Sequence, residues 1–133
     1  MSLENKLMEY ISALKTDFPA ALKMVAEDVV WINYLPDNVP FGGEYRGHEG
    51  LIEYFQTLTE NFEIGQYVDG SFEFIESGNT LVFIGAETGA RVLSTGKVFD
   101  LPFVWVVKWN DEGKICYVRE HNDTAAIGDA FKE

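Results

Sequence analysis

The sequence predicts an α+β fold, and three observations carry the prediction. The first half of the chain shows apolar stripes at helical spacing. From Gly65 onward it is rich in β-branched and aromatic residues, in runs of strand length. Short turn sequences join those runs, which implies antiparallel pairing of successive strands. Three helices, a strand and then a β-meander make an α+β plan. A length of 133 residues suits a single domain, 1–133.

The first helix is expected over Glu4 to Lys15. Leu3, Leu7, Tyr10, Ile11 and Leu14 fall on one stripe, so Tyr10 points inward. Asp17 is a natural N-cap for a second, short helix, with Pro19 tolerated in its first turn. Phe18, Leu22 and Val25 would be its buried side. Asp28 to Leu35 reads as a strand stopped by Pro36, with Val29, Trp31 and Asn33 on one face. Pro36 to Gly47 reads as a loop whose glycines serve turns, because no phosphate-binding spacing is present. Glu49 to Phe62 is the third helix. Its stripe is Leu51, Phe55, Leu58 and Phe62, with Tyr54 at the edge.

Four strands follow: Tyr67 to Glu76, Thr80 to Val92, Lys97 to Trp109 and Lys114 to Asp123. Ser77-Gly78-Asn79 and Asn110 to Gly113 mark turns between them. Val104-Trp105-Val106-Val107 is apolar on both faces, whereas a one-sided sheet would alternate. One face can bury against the helices. A second subunit is the economical cover for the other, so a homodimer through the outer sheet face is expected.

Composition narrows the function classes. The chain is 47% hydrophobic and 14% aromatic, enough for a core and for the walls of an apolar pocket. A net charge of −12 argues against nucleic acid and against anionic membrane surfaces, and serves solubility. One cysteine, Cys116, excludes an intrachain disulfide. No apolar run approaches the roughly 20 residues of a membrane span, and no signal peptide is visible, so a cytoplasmic protein is expected. His48 and His121 lack ligand-spaced companions, so neither a metal nor a cofactor is expected. His48, at the start of the third helix, reads as structural.

The last strand carries the sharpest chemistry. Alternation puts Cys116, Val118, Glu120 and Asn122 on one face. If that face lines an interior, Glu120 is an acid or base in an apolar setting. Strand parity also puts Leu101, Phe103 and Trp105 on one face, as cavity walls with Trp31.

Several segments together resemble the nuclear transport factor 2-like superfamily, and within it the SnoaL-like, ketosteroid isomerase-related proteins. They are Tyr10–Leu14, Ala26–Trp31, Pro40–Gly47, Thr95–Lys97 and Gly113–Thr124. The resemblance implies a curved antiparallel sheet wrapped around three N-terminal helices, a cone-shaped, cystatin-like roll with an apolar pocket. It also implies dimerisation through the outer sheet face.

By the same resemblance, Tyr10 falls where ketosteroid isomerase has its oxyanion-stabilising tyrosine. Asn33 falls where that enzyme has its aspartate base, and Trp105 where it has a protonated acid. Against limonene epoxide hydrolase, Glu120 matches a catalytic aspartate, and Trp31 and Asn33 match a pocket tyrosine and asparagine. Ala86 and Thr88 stand in place of that enzyme's arginine and second aspartate. Neither charged set is complete here.

The candidate catalytic residues are therefore Glu120, Tyr10 and Asn33. The candidate substrate-binding residues are Trp31, Phe55, Ala86 and Thr88, with Leu101, Phe103, Trp105 and Val118. A lone carboxylate in such walls should have a raised pKa, which suits proton transfer near neutrality. Three readings stand: an isomerase, cyclase or lyase acting on a small apolar carbonyl compound, a non-catalytic binder of a small hydrophobic molecule, and a dimeric interaction module.

Overall fold

The computed structural model describes residues 2–133. Helix α1 spans Leu3–Thr16, capped by the Ser2 hydroxyl, which accepts from the Asn5 amide at 3.1 Å. It buries Leu7, Tyr10, Ile11 and Ala13. Helix α2 spans Phe18–Lys23. Asp17 caps it by accepting from the Ala20 amide at 3.2 Å, and Pro19 sits in its first turn. Strand β1 is Val25–Asn33 and β2 is Gly43–Arg46. Helix α3 is Gly47–Asn61. Strands β3 (Phe62–Glu63), β4 (Gln66–Tyr67), β5 (Glu73–Ser77), β6 (Thr80–Val92), β7 (Val98–Trp109) and β8 (Ile115–Asn122) follow, and α4 (Thr124–Ala130) closes the chain.

The architecture is α+β, with a strongly curled sheet around the helices. Its order is β2-β1-β8-β7-β6-β3, and β4 and β5 also pair with β6. The β5–β6–β7–β8 meander is antiparallel. The sheet as a whole is mixed, because β1 pairs parallel with β8. That corrects the antiparallel expectation. Turn sequences govern only neighbours in sequence, and β1 meets β8 after the whole chain between them has crossed back.

Three other details differ from the expected elements. The Pro36–Gly47 segment ends in a strand, β2, paired antiparallel with β1. The expected strand from Tyr67 to Glu76 is two strands, β4 and β5, with a turn at Asp69-Gly70 between them, where Gly70 takes φ +78°. A fourth helix, α4, starts at Asp123, whose side chain accepts from the Ala126 amide at 3.1 Å.

Two bulges redirect the inward faces. On β6, Leu81, Phe83 and Gly85 are buried, and then Ala90 and Val92 are. The pairing steps from Glu87↔Leu101 to Ala90↔Phe99, so one extra residue switches the parity. Gly89 makes this possible with φ +75°. On β8, Trp109 pairs with Ile115 while Lys108 pairs with Tyr117. Ile115 therefore turns inward, fully buried, and Cys116 leaves the inward face with its thiol 3.5 Å from the Lys108 carbonyl. The expected grouping of Cys116 with Val118 and Glu120 is corrected accordingly. The core fills the concave side: Leu7, Tyr10, Leu51, Tyr54, Trp31, Phe83, Val107, Ile115 and Val118 are each at most 1% exposed.

Candidate functional site

Strand register builds the site. Parallel pairing sets Asn33 of β1 beside Glu120 of β8, and Trp31 beside Val118. On the other flank of β8, Trp105 of β7 is opposite Glu120. The carboxylate is thus seated between an amide and an indole on the inner face. Helix α3 crosses that face. Leu51, Tyr54 and Leu58 are its buried residues, at spacings of three and four, so Tyr54 points straight at the strands.

The polar groups converge. The Trp31 indole N–H donates to Glu120 Oε2 at 2.7 Å, and the Tyr54 hydroxyl donates to the same oxygen at 2.7 Å. Asn33 Nδ2 lies 3.0 Å from the Tyr54 hydroxyl and 3.5 Å from Oε2. Asn122 Nδ2 donates to Asn33 Oδ1 at 3.0 Å. A relay therefore runs from Asn122 through Asn33 and Tyr54 to one oxygen of Glu120. The other oxygen, Oε1, accepts none of these bonds.

Burial pushes the Glu120 carboxyl above the usual carboxylate range, while the donors on Tyr54, Trp31 and Trp105 pull it back. Burial and the nearby Glu120 charge raise the Tyr54 hydroxyl well above its ordinary value, so it stays protonated as a donor. Each hydrogen bond to the ionised carboxylate contributes about 1.5–3 kcal/mol, which ties α3 to the sheet as well as tuning the acid.

The site opens onto a cavity of about 410 Å³. Aromatic edges and faces make its walls: Trp31 lies 5.6 Å from Trp105 and 5.4 Å from Phe55, both edge-on. Leu101, Phe103 and Phe41 extend the apolar lining, and Ile127 of α4 reaches it from the C-terminal side. Gly85 leaves room for this packing, because a Cβ there would come within 2.8 Å of the Phe103 ring. A second carboxylate, Glu87, also lines the cavity, with Lys15 and Tyr67.

Among the residues nominated from sequence, Glu120, Asn33, Trp31, Phe55, Leu101, Phe103 and Trp105 all line this cavity. Val118 sits on the same strand face, fully buried beside Trp31 and outside the lining. Tyr10 is displaced from the nominated role. Its ring is 6.3 Å from that of Trp31, but its hydroxyl is buried with no hydrogen-bond partner and does not reach the lining. Ala86 and Thr88 are corrected too. They fall on the outer face of β6, and the exposed Thr88 hydroxyl donates to Asp100 at 2.7 Å.

The lining residues missed from sequence include three that bear on the acid site and its far end, Tyr54, Glu87 and Asn122. Signals for all three were present. Leu51, Tyr54 and Leu58 make a valid helical stripe in their own right. Glu87 shares strand parity with Leu81 and Phe83. Asn122 shares it with Glu120. His48, also read as structural, sits 2.9 Å from the Val25 carbonyl and away from the cavity.

A curled sheet closing over an aromatic, acid-bearing cavity is a fold of the NTF2-like type. An NTF2-like protein from Burkholderia xenovorans LB400 superposes with a TM-score of 0.83 at 29% identity, covering 96% of this chain and 94% of that one. An NTF2-like protein of unknown function from Burkholderia pseudomallei K96243 gives 0.84 at 27% identity over 100% of both chains. A protein from Shewanella denitrificans OS-217, named as a SnoaL-like polyketide cyclase, shares the fold at 0.73, with 20% identity over 96% and 94% of the two chains. No curated protein matches the sequence. The family model for the SnoaL-like domain matches residues 8–118, and the chain belongs to that family.

Proposed function

We propose that the protein catalyses proton transfer on a small, mostly apolar carbonyl compound, as an isomerase, cyclase or related lyase, with Glu120 as the acid–base group. The observation that carries this is the asymmetry of the Glu120 carboxylate. Oε2 takes the donors of Trp31 and Tyr54, Trp105 also favours the charged form, and Oε1, which accepts none of the Trp31, Tyr54 and Asn33 bonds, would serve a ligand in the aromatic cavity that Glu120 lines. Oε1 would take a proton from the carbon next to the carbonyl. The electron pair of that C–H bond then moves toward the carbonyl oxygen as an enolate. The second N–H of Asn122, which lines the cavity, is available to that oxygen. Tyr10, nominated from sequence for this task, has no hydrogen-bond partner and does not line the cavity, so Asn122 is the donor proposed here.

The membership of a family that includes a named polyketide cyclase fold-mate agrees with this class of chemistry. A non-catalytic ligand binder is favoured by one observation: the same donors that tune Glu120 also fasten α3 to the sheet. Deuterium exchange at the α-carbons of 2-tetralone, followed by NMR in D2O, separates the two. Acceleration by the wild type and its loss in Glu120→Gln supports the enzyme. Binding of the ketone without any acceleration supports the binder.

The partner expected on the outer sheet face is a second copy of the chain. Val82 pairs with Val106 and Ile84 with Val104, and Ile75, 58% exposed, extends the patch on β5. Among the described residues, no helix is long and apolar enough to cross a membrane.

A further inference from the structure

The cavity has two polar ends, and only one of them is used by the chemistry above. Glu120 is opposite Trp105 on β7, and Glu87 is opposite Leu101 on the same strand. Four residues of strand separate those positions, roughly 13 Å at about 3.3 Å per residue. The inward curl and the length of the two side chains shorten the gap between the carboxylates. Between them the β7 side of the lining is apolar, Leu101 and Phe103, with Asn122 of β8 opposite Phe103.

Glu87 is half-buried and opens onto the cavity. Among the described residues no protein donor bonds its carboxylate and no ion pair reaches it. The charged and titratable groups facing it are Lys15 of α1, Tyr67 of β4 and, across the cavity, Glu120 of β8. Lys15 is drawn over the Tyr67 ring, its ammonium 4.7 Å from the ring centroid. On the far side of the sheet, Asp100 is occupied by Thr88. The half-buried Glu87 carboxylate keeps contact with solvent, and a ligand that displaces this water has to supply a donor in its place.

We infer that Glu87 is a specificity-determining residue that accepts a hydrogen bond from the end of the ligand remote from its carbonyl. The inference rests on the ligand presenting that carbonyl to Glu120. It narrows the ligand class to a mostly apolar ketone with a hydrogen-bond donor, a phenolic hydroxyl or a protonated amine, at its far end. Anionic ligands are disfavoured by the two carboxylates and by the net charge of −12.

The test is calorimetric binding of 2-tetralone and 6-hydroxy-2-tetralone to the wild type, Glu87→Gln and Glu120→Gln. Burial pushes the Glu87 carboxyl up to about 7, the Glu120 charge adds to this and Lys15 pulls it back, so its charge changes across neutrality. At about pH 8.5, with Glu87 ionised, the wild type is expected to bind the hydroxy ketone about tenfold more tightly than the plain one, the usual scale for a hydrogen bond to a charged group. The preference should shrink to about twofold at about pH 5.5 and in Glu87→Gln at either pH. It should persist in Glu120→Gln.

Equal affinities in the wild type, with catalysed exchange intact, overturn the Glu87 assignment alone. A preference that survives in Glu87→Gln overturns it as well. A preference with exchange unaffected by Glu120→Gln overturns the catalytic reading and leaves Glu87 in place. Binding of neither ketone by the wild type overturns both.

Discussion

The Tyr54 hydroxyl lies 2.7 Å from Glu120 Oε2, although the two residues are 66 positions apart in sequence. This bond joins α3 to β8. It also orients the carboxylate of a residue that lines the cavity, because it shares Oε2 with the Trp31 indole and leaves Oε1 outside both bonds. Removing either partner therefore has separable effects on chemistry and on fold.

Glu120→Gln should retain the fold and lose activity on the order of 10²-fold or more, the scale of a positioned acid–base group. The glutamine keeps a carbonyl oxygen for the Trp31 and Tyr54 donors. Exchange into 2-tetralone, measured beside a thermal melt, checks both halves. Full exchange activity in the variant would remove Glu120 from the mechanism.

Tyr54→Phe should move the acid limb of the pH–rate profile upward. The Tyr54 hydrogen bond favours the charged form of Glu120, so its loss raises a pKa that burial has already raised. A hydrogen bond to a charged group is worth about 1.5–3 kcal/mol, and about 1.4 kcal/mol is one pKa unit, so the limb should shift by about one to two units. The base must be ionised to act, so activity is lost first at the low-pH end. An unmoved limb would mean that Glu120 is not the titrating base.

Glu87→Gln should stabilise the protein at alkaline pH and leave it nearly unchanged in acid. The folded carboxyl titrates near about 7 against an ordinary 4.5. Between those values the folded state holds more protons than the unfolded one, so wild-type stability falls as pH rises through the window and then levels off. The difference between variant and wild type should grow from near zero at about pH 4.5 to at most about 2–3 kcal/mol above pH 7. Paired melts across that range measure it. A flat difference would show that Glu87 ionises normally.

Val106→Lys should dissociate a dimer formed through the outer face. Val106 pairs with Val82 on one side and Arg119 on the other, so a lysine there would place charge in the middle of the patch. Light scattering at micromolar concentration should give twice the chain mass for the wild type and the chain mass for the variant. A wild-type monomer would refute the dimer.

Local patterns made the first three helices and the main strand runs legible in sequence. Helical spacing located α1 and α3, the Asp17 cap located α2, and parity found the Leu101, Phe103, Trp105 wall. The short elements β2 and α4 and the long-range β1–β8 pairing were not legible, and the inward faces were hidden by one-residue insertions. The extra residue at Thr88-Gly89 switches the inward parity of β6, and the one at Cys116 does the same on β8. Ala86 and Thr88 were nominated by a correspondence that ran one position off the true inward residue, Glu87. Tyr10 and Tyr54 illustrate a second limit. Both are buried tyrosines on helical stripes, and only the crossing of α3 over β8 decides which hydroxyl meets the carboxylate.

The parallel pairing of β1 with β8 has a consequence for how the cavity comes into being. Asn33 and Glu120 are 87 positions apart and become neighbours only through that pairing. A chain emerging N-terminus first can form α1, α2 and the β5–β6 hairpin from local contacts. It cannot form the acid site until β8 has been made, because β8 must insert between β1 and β7. Closing so large a loop is entropically slow. Until it happens, the inner edges of β1 and β7 stand open to any other strand.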